Sequence, residues 1–161
     1  QKLQKIPVTV VLDNIRSGLN VGSIFRTCDA FAVEHIILTG FTPQPPHREI
    51  LKTALGSTES VHWSYCESIS ECLVELRSKD FRIIAIEQTD KSIELQDANF
   101  TNQMKYALIL GNEVDGVSVD ALEFADSAIE IPQAGIKHSL NVAVCAGMVL
   151  WEAFKSLGSI N

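Results

Sequence analysis

The chain has 161 residues, 46% of them hydrophobic and 20% charged, with a formal net charge of −7. That is enough for one domain with its own core, and the acidic balance argues against a bulk nucleic-acid binder, whose phosphate contacts need Lys and Arg in excess. The four cysteines (Cys28, Cys66, Cys72, Cys145) form no CxxC pair and the four histidines (His35, His47, His62, His138) no HxxxH, so no metal site or disulfide framework is expected and a reducing cytoplasm is. The longest charge-free apolar run, 140–151, falls short of the ~20 residues that span a bilayer, so no membrane partner is expected.

The first strand is expected at 8–12, "VTVVL". Residues 20–32 follow as a helix, because Val21, Ile24, Phe25, Cys28 and Ala32 fall on one stripe at i, i+3, i+4, i+7 and i+11. A strand is predicted at 35–40, a Pro-rich loop at 41–49, a strand at 60–65 and a helix at 67–79. Further strands are expected at 82–87, 106–111 and 127–131, with a helix at 118–124 between the last two. A long apolar helix, 139–157, ends at Gly158. Several strands are continuously apolar, as strands buried on both faces are. Strand–helix alternation of this kind makes an α/β fold, a mostly parallel sheet with helices on both faces. One domain is expected over 1–161.

The usual nucleotide signatures, GxGxxG and GxxxxGK[ST], are absent, and so is a GxSxG nucleophile elbow. Unusual polar residues sit instead in three places, each just after a predicted strand. In "DNIRSGLNVGSIFRTCDAF", 13–31, Asn20 stands at the head of the helix and Arg26 lies off its apolar stripe. A purely structural account makes Asn20 an N-cap and Arg26 a surface partner of Asp29. In "LILGNEVDGVS", 108–118, Asn112 and Glu113 follow a buried strand at the edge where α/β sheets bind ligands. The alternative is an ordinary turn built from Asn112, Asp115 and Gly116. In "IEIPQAGIKHSLNVAVCAG", 129–147, Ser139 and Asn141 open the last helix. Capping accounts for Ser139 but leaves Asn141, a poor helix former, unexplained.

Together these stretches resemble the SpoU (TrmH-like) RNA ribose 2′-O-methyltransferases of the SPOUT superfamily. The Asn-x-Gly step with Arg-Thr is similar to Asn20-Val21-Gly22 and Arg26-Thr27. The strand ending in Gly-x-Glu with a nearby Gly is similar to Gly111-Asn112-Glu113 and Gly116. Ile-Pro-x-x-Gly followed by Ser-Leu-Asn-Val is similar to Ile131-Pro132, Gly135 and Ser139-Leu140-Asn141-Val142, and "KTALGS", 52–57, resembles a further family segment. The motifs follow in order over nearly the whole chain. Gln133 departs from the pattern, standing where the family often has Met, and the chain has no room for the extra RNA-binding domain that many members carry.

The resemblance implies a parallel α/β sheet closed by a C-terminal deep trefoil knot, the SPOUT fold, although general topology rules make knots rare. It implies a homodimer that binds S-adenosylmethionine and transfers its methyl group to a ribose 2′-hydroxyl of tRNA or rRNA. Thr89, Leu110, Gly111, Ile131 and Leu140 are the implied cofactor residues. Asn20, Arg26, Glu113, Ser139 and Asn141 are the implied catalytic set. Arg26 is expected to reach the sheet edge where the Glu113 and Ser139 loops meet, with Glu113 orienting it or taking a proton through water. Because a guanidinium stays charged and has no acceptor, Arg26 is better suited to binding phosphate or stabilising a developing alkoxide than to acting as a base. RNA would be held by a local basic patch, with Arg16, Arg48, Lys52 and Lys137 as candidates beside His47 and His138. Two alternatives stay open at this point: a base-methylating SPOUT enzyme and a non-catalytic RNA-binding module.

Overall fold

The computed structural model describes residues 4–158. Seven strands, β1 (Ile6–Asp13), β2 (Val33–Thr39), β3 (Trp63–Cys66), β4 (Phe81–Ile86), β5 (Ile93–Glu94), β6 (Lys105–Leu110) and β7 (Ser127–Glu130), form one sheet in the order β3-β2-β1-β6-β4-β7-β5. Every pairing in it is parallel. Five α-helices are present among the described residues, besides two single 3-10 turns: α1 (Gly18–Ala30), α2 (Arg48–Ala54), α3 (Ile69–Ser78), α4 (Val119–Phe124) and α5 (Val142–Leu157). This is the doubly covered parallel architecture expected, and the strand order is consistent with a knotted C-terminal segment.

Both faces of the central strands are buried, which explains their unbroken apolar runs. On β1, Val8, Val10 and Leu12 join one core with Ile24 and Phe25 of α1 and Ala146, Val149 and Leu150 of α5. Val11 points the other way, into a second core with Leu73 and Leu76 of α3 and Ala121 of α4. The strand period of two therefore divides each central strand between two helix layers. Fully burying one such Leu, Ile or Phe contributes ~1.5–3 kcal/mol.

Two elements went unpredicted. α2 follows directly on the Pro-rich stretch and shows only two buried positions, Ile50 and Ala54, too few to stand out as a stripe. β5 has two exposed residues and a single neighbour, β7. The terminal helix also begins at Val142 rather than at residue 139.

Gly22 decides how α2 meets α1. A Cβ at that position would overlap the Thr53 hydroxyl and the Ile50 carbonyl of α2. With no side chain in the way, the Thr53 hydroxyl donates to the Leu19 carbonyl at 2.8 Å. Gly22→Ala is therefore an overpacking change on backbone that cannot swing aside. It should cost ~1–3 kcal/mol, measurable as a lower midpoint in urea unfolding, whereas Gly147→Ala, which meets nothing within 4 Å, should be neutral or slightly stabilising.

Candidate active site

β1 runs into residues 14–17 and α1, β6 into the loop 111–118, and β7 into the loop 131–141 and α5. The chain leaving β1 turns toward β2 on one side, while that leaving β6 goes to α4 and β7 on the other. The crevice between β1 and β6 thus lies where connections diverge, the place open parallel sheets use for ligands.

Ser17, not Asn20, caps α1, its hydroxyl accepting from the Asn20 N–H at 3.2 Å. Asn20 sits in the first turn with its side chain available for longer-range contacts. Its Nδ2 donates to Glu113 Oε2 at 3.0 Å, and its Oδ1 accepts from Asn141 Nδ2 at 3.2 Å. Asn141 is the true N-cap of α5, its Oδ1 accepting from the Ala143 and Val144 N–H groups at 2.8 and 3.3 Å. Capping therefore accounts for Asn141, the reverse of the sequence-based expectation, and Ser139 stands outside the helix on the exposed loop. One hydrogen-bonded chain, Glu113–Asn20–Asn141, joins the three motif stretches.

Glu113 is the hub. Its Oε1 accepts from the Arg16 N–H at 2.8 Å and its Oε2 from the Ser17 N–H at 2.9 Å. Partial burial pushes its carboxyl pKa up, but the bonds from Arg16, Ser17 and Asn20 outweigh burial and leave it below the usual value. The loop that carries Glu113 is tightly drawn. Asn112 and Gly116 exchange backbone hydrogen bonds at 2.9 Å each. Asn112 Oδ1 accepts from Val114 and Asp115 N–H, and its Nδ2 donates to the Asn14 carbonyl. A Cβ on Gly111 would overlap the returning backbone at Gly116 and Val117, so only glycine lets this loop close on itself.

The residues expected to hold a cofactor gather at the same edge, since β4, β6 and β7 are neighbours. Thr89 follows β4, Leu110 ends β6 with Gly111 just beyond it, and Ile131 follows β7. The Leu140 N–H donates to Gln133 Oε1 at 3.1 Å, and Gln133 Nε2 donates to the Ile131 carbonyl at 3.5 Å. These backbone groups are held by one exposed, flexible side chain rather than by a ladder. A ligand with a paired donor and acceptor edge can displace it, so the residues present fit an adenine-bearing group. No cluster of three or more His, Cys, Asp or Glu suited to a metal occurs among the described residues.

Arg26 is not brought to Glu113. Six residues along α1 from Asn20, it lies on a different side of the helix and lines an open cleft of about 580 Å³ with Ser23, Lys52, Thr53 and Gly147. It makes no ion pair or hydrogen bond among the described residues, so the surface pairing with Asp29 does not form. Arg16, Arg48, Lys52 and Lys137 are all exposed; Lys52 shares the Arg26 cleft and pairs with Glu49 at 3.6 Å. Reading the sequence missed Ser17 and did not single out Asp13 or Glu87, two carboxylates that accept hydrogen bonds from the end of the Glu113 loop. The last two had a signal, an acidic residue closing an apolar strand in "VVLD" and "IAIE".

A model of the SpoU rRNA Methylase family matches residues 7–151. The chain belongs to this family. Among SpoU proteins it is similar to a tRNA (guanosine(18)-2′-O)-methyltransferase of Aquifex aeolicus, 33% identical over 159 residues, 95% of this chain and 71% of the relative. It is also similar to the 23S rRNA (guanosine-2′-O-)-methyltransferase RlmB of Neisseria meningitidis, 31% identical over 94% of this chain and 60% of the relative. The AdoMet-bound rRNA methyltransferase from Sinorhizobium meliloti superposes with a TM-score of 0.85 at 27% identity, over 96% of this chain and 61% of that one. The chain thus spans between three fifths and three quarters of these SpoU relatives.

Glu113 also sets a pH test. Its folded pKa lies below the ordinary 4.5, so the stability from its bonds is complete above that value and is lost as pH falls through the lower folded one. Urea unfolding of wild type and Glu113→Gln should show a wild-type advantage at pH 7 that shrinks as the pH is lowered below 4.5. A gap that stays constant with pH would refute the charge-assisted role.

Proposed function

We propose that this SpoU chain is an S-adenosylmethionine-dependent methyltransferase that modifies a ribose 2′-hydroxyl of tRNA or rRNA, working as a cytoplasmic homodimer. The observation that carries the reading is the Glu113–Asn20–Asn141 junction, which ties all three motif loops together at the β1–β6 crevice. Relatives named as tRNA and rRNA 2′-O-methyltransferases support the substrate class.

When bound, S-adenosylmethionine would supply an electrophilic methyl group, held through Thr89, Leu110, Gly111, Ile131 and Leu140. The chain's own residues do the rest. Asn20, Ser139 and Asn141 offer neutral hydrogen bonds that orient a ribose or its phosphate, and orientation alone can contribute several kcal/mol. Glu113 is poorly placed to take a proton. Both its oxygens are already engaged by three donors, and its lowered pKa makes it a weak base, so its part is to hold the first turn of α1. Arg26 brings a planar, permanently charged fork to a cleft it shares with Lys52. There it can bind the phosphate beside the target ribose or stabilise negative charge growing on the 2′-oxygen. Arg16, Arg48, Lys52 and Lys137 would supply the local positive surface that the acidic chain otherwise lacks.

The dimer reading rests on α5. Val144, Met148 and Trp151, at i, i+4 and i+7, are 49%, 41% and 44% exposed, one apolar stripe beside the Arg26 cleft. Covered by a second copy, it would put that cleft at a subunit boundary. Light scattering should return about 35 kDa, twice the 17.7 kDa chain; a value near 18 kDa would sink the dimer.

Methyl transfer to tRNA and rRNA, with the product scored as an alkali-resistant linkage, tests the activity. Arg26→Ala should lower the single-turnover rate by at least ~100-fold while product-nucleoside affinity and oligomeric state hold. Arg26→Lys should recover little, since a point charge does not reproduce the fork. A near-wild-type rate in Arg26→Ala would remove Arg26 from the mechanism.

A further inference from the structure

Two carboxylates that the mechanism above leaves unused close the strands on either side of β6. Asp13 ends β1 and Glu87 follows β4, and β6 lies between these strands. Beyond the Glu113 loop the chain doubles back across the end of its own strand, where Asp13 and Glu87 take hold of it from both sides. Glu87 Oε1 accepts from the Val117 N–H at 3.1 Å, and Asp13 Oδ2 accepts from the Ser118 N–H at 2.8 Å. Gly116 makes the first contact possible: its φ is +73°, and a Cβ there would overlap Glu87 Oε1.

Stability alone does not call for a charge at Asp13. The residue is 1% exposed, and its Oδ1 has no hydrogen-bond partner. Burying a half-satisfied carboxylate is costly, and an asparagine would offer Ser118 the same acceptor without it. What the charge adds is strength, because a charge-assisted hydrogen bond is roughly twice as strong as a neutral one. That strength acts on the segment that fixes one end of the Glu113 loop. The other end is fixed at Gly111, which the same segment presses against.

We propose that Asp13 and Glu87 are positioning residues, a two-sided carboxylate clamp that sets where Glu113 meets the Arg16 and Ser17 N–H groups and thereby places Asn20. The link to turnover rests on the methyltransferase reading; the clamp itself does not.

Glu87 carries the test, because it is only half-buried and its variants should fold, whereas Asp13→Ala leaves a void in the core. In Glu87→Ala the turnover number should fall ~10–100-fold with KM for RNA within about twofold. In the ligand-free protein the Glu113 carboxyl, followed by carbon-13 NMR, should titrate at higher pH than in wild type. Glu87→Gln and Asp13→Asn keep an acceptor oxygen but lose the charge-assisted bond, and should hold both signals between those of Glu87→Ala and wild type. A Glu87→Ala protein that only melts earlier, with Glu113 titration and turnover number unchanged, would overturn the proposal. So would a Glu87→Gln as impaired as Glu87→Ala. If the wild-type protein methylates no RNA, the functional reading fails while the Glu113 titration still decides the clamp.

Discussion

A single carboxylate with three donors holds the working edge of this molecule together. Glu113 receives the Arg16 and Ser17 N–H groups and the Asn20 amide. Four N–H groups at the start of any helix lack intrahelical partners, and a negative charge there is favoured by the helix dipole. The Ser17 hydroxyl satisfies one of these donors from the cap position, and Glu113 reaches the backbone just ahead of the helix from the loop after β6. A local requirement of helix formation has become a tertiary tie. Once Asn20 is held on that side, its remaining oxygen is directed at Asn141, and α5 is registered against α1. The helix caps and the junction are therefore one network.

That network works because the sheet beneath it is rigid. Each central strand is covered on both faces, so the C-terminal ends of β1, β4, β6 and β7 are fixed relative to one another. Loops rising from such ends inherit that precision, which is why polar residues distant in sequence meet within hydrogen-bonding distance. The cost falls on the Glu113 loop, which doubles back on itself and can do so only with Gly111 and Gly116.

Much of this was legible in the residues. Unbroken apolar runs such as "VTVVL" and "YALILG" marked doubly buried strands, and the stripe from Val21 to Cys28 marked α1. The three polar stretches were legible as well, each standing where a strand ran out. Other features had no local signature. α2 buries only Ile50 and Ala54, and β5 is two residues added to the edge. Which Asn caps and which reaches across the crevice depends on where the chain lies in space: Ser17 takes the cap from Asn20, and Asn141 takes it from Ser139. Arg26 was assigned to the sheet edge because its motif neighbours are there. Six residues of helical rotation turn it toward α2 and α5 instead. The strand order that accommodates a knot follows from no periodicity at all.

The position of β1 has a consequence for how the chain is made. β1 is made before the other six strands of this sheet, yet one of its two neighbours is β6, which begins at Lys105. At ordinary rates of translation the gap of about 100 residues corresponds to roughly 5–20 s. During that interval an apolar strand meant for the core has an unpaired edge, the kind of surface that recruits other chains. Local helices cannot close it, because the partner does not yet exist. A nascent chain with this topology therefore depends on its ribosome-side surroundings for longer than its modest size suggests, and crowded overexpression should tax its yield before it taxes its stability.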